Sequence, residues 1–212
     1  MEFRILGPLE AWDAGRPLAL GGPKQRALLA VLLVNANRTV PSERLSALIW
    51  GEDAPDSVAA TLQVTVSNLR KVLEPGHARG STYQLIVSKP TGYMLQLASE
   101  QLDSARFDRL AAEGREALRV AKPEEAAGLL REALALWRGP LLADFSEEPF
   151  ALAEGKRLNE MMLQAVDDRI EADLQLGRHA ELVGELESLM VKHPLRERLC
   201  GQLMLALYRS GR

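Results

Sequence analysis

A chain of 212 residues with 47% hydrophobic and 26% charged residues has the composition of a soluble globular protein and is long enough for two domains. Its longest apolar run, Ala27 to Val34, is far shorter than the roughly 18 residues of a membrane span and lies too far inside the chain for a secretion signal. Its net charge is -3, and its single cysteine, Cys200, excludes an internal disulfide. We therefore predict a cytoplasmic protein.

Charge and composition both change near the middle of the chain. Residues 1–98 carry 10 Lys+Arg against 8 Asp+Glu, whereas residues 99–212 carry 16 against 21. The first part mixes β-like runs with Gly and Pro, and the second consists of Ala, Leu, Glu and Arg at helical spacing. We predict two domains, 1–98 and 99–212, that face different partners.

The first domain begins with short strands and continues with helices. The runs FRILG, LEAW and RPLAL, separated by Gly-Pro and Ala-Gly, predict three antiparallel strands. Pro23 suits the first position of a helix that runs to about Asn35, and Ser42 is the predicted N-cap of a short helix that ends at Trp50 and Gly51. A third helix and a hairpin follow, which is the element order of a winged helix-turn-helix.

The third helix, Ser57 to Leu73, contains no acidic residue. At about 100° per residue, an apolar stripe of Val58, Leu62, Val66, Leu69 and Leu73 should face the core. The opposite side carries amide, hydroxyl and cationic groups, which suit base edges and phosphates in a major groove, together with Val64, which suits a thymine methyl. An ordinary amphipathic helix is the alternative. The predicted recognition face consists of Thr61, Gln63, Val64, Ser67, Asn68, Arg70 and Lys71.

The predicted hairpin is also free of acidic residues. Alternating runs at Tyr83 to Val87 and Tyr93 to Leu97 flank a turn at 88–92 that carries Lys89. A cation at this tip can reach phosphates or an adjacent minor groove. Exposed turn lysines are common, so Lys89 gains weight only from the neighbouring helix.

Three runs, QRALLAVLLVNANRTVPSERLSALIWGEDAP, TLQVTVSNLRKVLEP and IVSKPTGYML, resemble the OmpR/PhoB-type winged helix. At about 100° per residue, helical geometry puts Thr65 near the core, so Thr65 is not included in the predicted recognition face. The chain departs from the family at Ser67 and Asn68, where arginines are common, so its base preference should differ. The resemblance implies DNA contacts at Thr61, Val64, Thr65, Asn68, Arg70 and Lys71, and a wing cation at Lys89.

The second domain shows the spacing of a tetratricopeptide-like helical repeat. Gly177 and Gly211 are 34 residues apart, and Pro194 stands 17 residues after Gly177. Gly114, with Leu130, fits an earlier repeat, and GPLLADFSEEPF is interpreted as an insertion between repeats. The last repeat has one helix, Glu197 to Tyr208, so we expect either a fragment of a longer protein or a missing capping helix. The predicted fold class is therefore mainly α with a small β part.

Two further runs, LALWRGPLLADF and HPLRERLCGQLMLALYRSGR, resemble the bacterial transcriptional activation domain that follows an OmpR-type winged helix in the Streptomyces antibiotic regulatory protein (SARP) family. The resemblance covers essentially the whole chain. It implies an activator, acting on antibiotic biosynthesis genes, that binds direct repeats in double-stranded promoter DNA and recruits RNA polymerase holoenzyme. Dimeric or tandem binding on the repeats is also implied.

The turn between the second and third helices faces polymerase in OmpR-type domains. A solvated loop that caps the next helix through Asp56 or Ser57 explains the same residues equally well. Both interpretations stay open. The implied polymerase contact consists of Gly51, Glu52, Asp53, Ala54, Pro55 and Asp56.

Enzymatic function is not expected. The chain contains no phosphate-loop, HExxH, GxSxG or dinucleotide motif. The histidines at 77, 179 and 193 are dispersed, so no metal is predicted, and no cofactor is implied. The adjacent pair Asp167 and Asp168 is interpreted as part of a solvated acidic face. The alternative to a DNA-binding activator is a helical-repeat adaptor or sensor module whose winged helix contacts proteins.

Overall fold

The structure, a computed structural model, describes residues 1–51, 54–55, 57–77 and 82–212. It divides into two compact units, Met1–Arg106 with Trp137–Leu158 and Phe107–Leu136 with Asn159–Arg212. This division differs from the predicted boundary after residue 98, because the segment 137–158 belongs with the first unit. The domain assignment of 1–98 and 99–212 stays a prediction.

The first unit opens with a small antiparallel sheet of three strands, β1 (Glu2–Arg4), β2 (Glu10–Asp13) and β3 (Arg16–Pro17), in the order β1-β2-β3. Phe3 and Ala11 lie opposite each other in the register and are both buried, so one face of the sheet covers the core. The predicted strands are confirmed in position, although they are shorter than the sequence runs.

Three helices follow in the predicted order. Pro23 occupies the start of the first helix, as predicted. The predicted N-cap at Ser42 is wrong by one residue, since Pro41 is the N-cap and Ser42 is already helical. The Ser42 backbone N–H donates instead to the carbonyl of Thr91 at 3.0 Å, which ties the helix start to the hairpin. The helices are α1 (Pro23–Val34), α2 (Ser42–Trp50) and α3 (Val58–Leu73).

The wing is a second antiparallel sheet, formed by β4 (Val40–Pro41), β5 (Ile86–Lys89) and β6 (Gly92–Leu95) in the order β4-β6-β5. The hairpin is confirmed, but its turn is shorter than predicted, because Lys89 pairs with Gly92 as the last residue of β5. Gly92 is packed so closely on β4 that an added Cβ would lie 2.0 Å from the Val40 carbonyl oxygen.

The segment 137–158 completes the first unit through backbone hydrogen bonds. The N–H of Arg138 donates to the Leu6 carbonyl at 2.7 Å, and the N–H of Leu142 donates to the Ile5 carbonyl at 2.9 Å. The Asp103 carboxylate accepts hydrogen bonds from the N–H groups of Ile5 at 2.8 Å and Leu6 at 3.0 Å. The run interpreted as an insertion between repeats therefore packs along residues 5–7.

The second unit is built from packed helices, and the helices of this part of the chain are α4 (Asp103–Arg119), α5 (Pro123–Ala135), α6 (Pro149–Gln175), α7 (His179–Lys192) and α8 (Glu197–Arg209). Gly114 lies where an added Cβ would be 2.6 Å from Leu130 Cγ, so the small residue lets α4 and α5 approach closely. Gly177 has φ +79 in the turn between α6 and α7, a conformation that glycine adopts without strain. Two of the helices, α4 and α6, begin within the first unit.

Two acidic residues interpreted as solvated are instead buried. Asp167 and Asp168 on α6 are 2% and 5% exposed. Asp167 accepts from Arg196 Nε at 2.9 Å, and Asp168 pairs with Arg198 Nη1 at 2.6 Å. The solvated interpretation of this pair is wrong, because Arg196, just before α8, and Arg198, on α8, cover the two carboxylates. The adjacency of two acidic residues on one helix gives no sign of such contacts.

The helices and small sheets confirm the predicted fold class, mainly α with a small β part. Apolar side chains of α6, α7 and α8 form one core in the second unit, with Ile170, Leu186 and Leu199 essentially inaccessible to water. Within the described ranges, no helix combines the length and the apolarity needed to cross a bilayer.

Replacing Gly92 with alanine should disrupt the wing. The new Cβ would overlap the Val40 carbonyl, so we expect Gly92→Ala to lower the free energy of unfolding by about 1 to 3 kcal/mol. Urea denaturation followed by circular dichroism measures the change. Gly76→Ala is the matched control, since an added Cβ there meets no atom within 4 Å. Equal loss in both variants would contradict the close packing of β4 on β6.

Asp167 should make stability depend on pH. Burial raises the pKa of this carboxyl above its usual 3.8, against the opposing effect of Arg196. As pH falls, the folded state therefore binds the proton at a higher pH than the unfolded state does. The contribution of Asp167 to the free energy of unfolding is largest at low pH and falls as pH rises through the folded pKa. Denaturation at several pH values from 3.8 upward should show wild type losing stability relative to Asp167→Asn. A relative gain with rising pH would show that Arg196 dominates.

Candidate nucleic-acid interface

The rotation of α3 is set by its apolar stripe. Leu62, Val66, Leu69 and Leu73 are at most 2% exposed, which confirms the predicted core face at these positions. Val58 is only half-buried, because it occupies the first turn of the helix. The direction of the opposite face is therefore fixed by the burial of four large side chains.

The opposite face of α3 is exposed and carries no acidic side chain. Val64 is 60% exposed, which is unusual for an apolar residue in the middle of a helix. Residues three and four apart are neighbours on a helix surface, so the exposed side chains form one continuous strip. The members of the predicted recognition face that lie exposed are Gln63, Val64, Ser67, Asn68 and Lys71.

Two threonines at the edge of this strip use their hydroxyl protons within the helix. Thr61 Oγ1 donates to the Ser57 carbonyl at 3.2 Å, and Thr65 Oγ1 donates to the Thr61 carbonyl at 2.8 Å. Both residues are half-buried. Their methyl groups and hydroxyl lone pairs stay available to a ligand, whereas their donors do not.

Arg70 differs from the other members of the predicted recognition face. Its Nε and Nη2 donate to the Ile86 carbonyl at 3.0 and 2.6 Å, and Nη2 also donates to Ser88 Oγ at 2.9 Å. The guanidinium carbon lies 4.9 Å from the ring centroid of Tyr83 and 5.8 Å from that of Tyr93. The side chain therefore packs against the wing.

Glu74 makes a second connection between α3 and the chain that leads into the wing. Its carboxylate accepts hydrogen bonds from the N–H groups of Gln84 and Leu85, both at 3.0 Å. His77 stacks on Tyr83 with ring centroids 3.7 Å apart, which adds an aromatic contact at the same place. Glu74, which directly follows the last residue of α3, thus has its carboxylate occupied by backbone donors.

Lys89 lies at the exposed end of β5. A cleft of about 600 Å³ adjoins it, lined by residues 41–43 of the α2 start and 88–93 of the wing. Neither Lys71 nor Lys89 forms an ion pair with a residue in the described part of the chain. Two ammonium groups, one on α3 and one on the wing, are therefore open to solvent and to an anionic ligand.

The predicted polymerase contact is only partly described. Gly51, Ala54 and Pro55 are exposed, and Gly51 has φ +56 after the last turn of α2. Glu52, Asp53 and Asp56 lie outside the described residues. Ser57 is the N-cap of α3, but its side chain makes no capping hydrogen bond, so the predicted capping by Ser57 is wrong. Capping by Asp56 lies outside the described residues, so the solvated loop and the polymerase contact both stay predictions.

Sequence reasoning missed the inward direction of Arg70 and the role of Glu74. Their spacing of four residues resembles an ordinary pair along a helix, which hides their bonds to residues 84–88. The only available signal was the tyrosine pair, Tyr83 and Tyr93, that flanks the hairpin. No group of histidine, cysteine, aspartate and glutamate side chains suited to a metal ion occurs among the described residues.

Two family models match the chain. "Transcriptional regulatory protein, C terminal" matches residues 15–95, which contain α1, α2, α3 and the wing. "Bacterial transcriptional activator domain" matches residues 102–212, which contain α4 to α8.

Several curated proteins are similar over the whole chain. Regulatory protein AfsR of Streptomyces coelicolor is 44% identical over 213 residues, which is 20% of that protein. Transcriptional regulatory protein EmbR of Mycobacterium tuberculosis is 38% identical over 216 residues, 54% of its length. Regulatory protein DnrI of Streptomyces peucetius is 35% identical over 216 residues, 79% of its length. The chain thus spans about a fifth of the length of AfsR and about half of the length of EmbR.

The fold agrees with a solved relative. The structure described as Mycobacterium tuberculosis EmbR in complex with low affinity phosphopeptide superimposes with a TM-score of 0.93 at 36% sequence identity, covering 100% of this chain and 55% of that one. Winged helix and helical domain occur in the same order in the sequence matches and in this fold. The chain belongs to the SARP family of transcriptional regulators.

Proposed function

We propose that the chain is a sequence-specific DNA-binding activator that recruits RNA polymerase at promoters. The observation that carries the proposal is the exposed, acid-free face of α3, with the exposed side chains of Lys71 and Lys89 beside it. A polyanion is attracted to such a surface, and few alternative ligands need an absence of carboxylates over a whole helix and the hairpin after it.

Each exposed side chain has a role in this proposal. The amides of Gln63 and Asn68 pair with the adjacent acceptor and donor of an adenine edge, and Val64 covers a thymine methyl. Thr61 contributes its methyl group, because its hydroxyl proton is used within α3. Ser67 is small enough to allow close approach of the helix. Lys71 and Lys89 neutralise phosphates on either side of the groove.

The modest charge of the winged helix supports a proposal that the chain binds two neighbouring sites. Residues 1–98 have a net charge of only +2. Positions 67 and 68, where arginines are common in the family, hold Ser67 and Asn68, which carry no positive charge for a phosphate. One copy should bind weakly, so we propose that two copies bind direct repeats and gain affinity from being adjacent.

The remaining parts of the proposal concern the partner and the genes. RNA polymerase holoenzyme is proposed to contact the turn at 51–56, and the helical repeat is proposed to hold it there. The regulated genes are proposed to be those of secondary metabolism, and the place of action the cytoplasm. SARP membership and similarity to AfsR and DnrI support this part of the proposal.

Selection from a random duplex DNA library with the purified chain tests the function. We expect enrichment of a direct repeat, protection of that repeat in footprinting, and increased transcription by purified holoenzyme from a promoter that carries it. A library without enrichment, together with capture of a protein through α3, would favour the adaptor alternative and refute DNA recognition.

Phosphate contacts should appear in the salt dependence of binding. Lys71→Ala and Lys89→Ala should each reduce the slope of log affinity against log salt by about one. Fluorescence anisotropy with the selected duplex, from low to moderate salt, measures the slope. Lys192→Ala on α7 is the matched control, since it removes one exposed lysine outside the interface. Unchanged slopes in the first two variants would refute the phosphate contacts.

Base contacts should appear in specificity instead. Gln63→Ala and Asn68→Ala should each weaken binding to the selected duplex by about 1 to 3 kcal/mol, because each removes one bidentate base contact. Binding to a scrambled duplex should stay the same, and so should the salt slope. Competition between the two duplexes measures the change. A parallel loss on both duplexes would show that neither amide reads a base.

A further inference from the structure

We infer that Arg70 is a positioning residue, which fixes the wing on α3 and so places Lys89 for its phosphate, rather than a residue that contacts DNA. This inference rests on the proposed function and assigns a different role to one residue of the predicted recognition face. The contacts of the Arg70 guanidinium group are with the wing and not with the exposed strip of α3.

Most of the donor capacity of Arg70 is used inside the protein. Nε and Nη2 both donate to the Ile86 carbonyl, at 3.0 and 2.6 Å, and Nη2 also reaches Ser88 Oγ at 2.9 Å. A planar guanidinium can hold one oxygen with two nitrogens, which a lysine ammonium cannot reproduce. A phosphate contact through these nitrogens would leave the carbonyl of Ile86 without its partner.

Aromatic rings hold the guanidinium in the same place. It lies 4.9 Å from the centroid of Tyr83, which precedes β5, and 5.8 Å from that of Tyr93 on β6. Tyr83 is itself stacked on His77 at 3.7 Å. Arginine is attracted to the faces of aromatic rings, so these contacts add to the hydrogen bonds rather than compete with them.

Glu74 complements Arg70 one helical turn later. The carboxylate takes the donors of Gln84 and Leu85, and the guanidinium takes the acceptor of Ile86. The two side chains therefore satisfy opposite kinds of backbone group on consecutive residues at the entry to β5. This arrangement fixes both the position and the direction of the strand relative to α3.

The direction of β5 decides where Lys89 lies. Lys89 follows Ile86 by three residues on the same strand, a distance of about 10 Å at the usual rise of a β-strand. A tilt of the strand at Ile86 would move the ammonium group away from any phosphate that it shares with α3. The competing arrangement is a direct phosphate contact through Arg70 Nη1. This nitrogen donates no hydrogen bond to the described part of the chain.

A double-mutant cycle between Arg70 and Lys89 separates the two arrangements. If Arg70 acts through Lys89, then Arg70→Ala, Lys89→Ala and the double variant should each lose about one unit of salt slope on the selected duplex. If Arg70 contacts a phosphate itself, the double variant should lose about two units. That result, or an unchanged slope in Arg70→Ala, would overturn the inference.

Arg70→Lys adds a test that keeps the charge. The lysine can replace a phosphate contact but not the bidentate bond to Ile86, so we expect its salt slope to match that of Arg70→Ala. A slope that matches wild type would overturn the inference. Thermal unfolding of each variant should remain cooperative, which shows that the loss is not one of folding.

Glu74→Ala provides a second route that does not depend on Arg70. Removing a negative charge should strengthen binding to DNA if only charge matters. We expect weaker binding and a smaller salt slope, because the entry to β5 loses its hold on α3. Stronger binding would overturn the inference. Failure of the proposed function is distinguishable, since wild type would then show no enriched duplex, and no salt-dependent binding to measure.

Discussion

The burial of one stripe of α3 is the constraint on which the candidate interface depends. Leu62, Val66, Leu69 and Leu73 are removed from water almost completely. Burial of each side chain contributes about 1.5 to 3 kcal/mol to the free energy of unfolding. A rotation of the helix by one residue would expose several of these side chains at once. The exposed strip from Gln63 to Lys71 thus keeps one direction relative to the core of the first unit.

Charged side chains are unevenly distributed around this surface. A carboxylate beside a phosphate costs binding energy, and α3 with its wing contains none that is free among the described residues. Glu74 is the exception in sequence, but its oxygens are occupied by the N–H groups of Gln84 and Leu85. Positive charge is likewise divided, with Arg70 used internally and Lys71 and Lys89 left exposed.

Local periodicity predicted those parts of the interface that depend on neighbours along the chain. The core and exposed sides of α3 follow from a repeat of 3.6 residues, and the hairpin follows from alternation around Pro90. The inward direction of Arg70 depends on a carbonyl 16 residues away, and the burial of Asp167 depends on Arg196, 29 residues away. Such contacts are set by packing, so amphipathic patterning could assign Arg70 only to the polar side of the helix.

The boundary between the two halves shows the same limit on a larger scale. Composition changes near residue 98, yet the N–H groups of Ile5 and Leu6 are satisfied by Asp103, and their carbonyls by the N–H groups of Leu142 and Arg138. A chain cut after residue 98 would remove the partners of all four backbone groups, and each lost hydrogen bond would cost about 0.5 to 1.5 kcal/mol net as the groups become exposed to water. The run LALWRGPLLADF, which resembles an activation domain, belongs to the first unit from Trp137 onward, so these residues contribute to the stability of the unit that contains the winged helix.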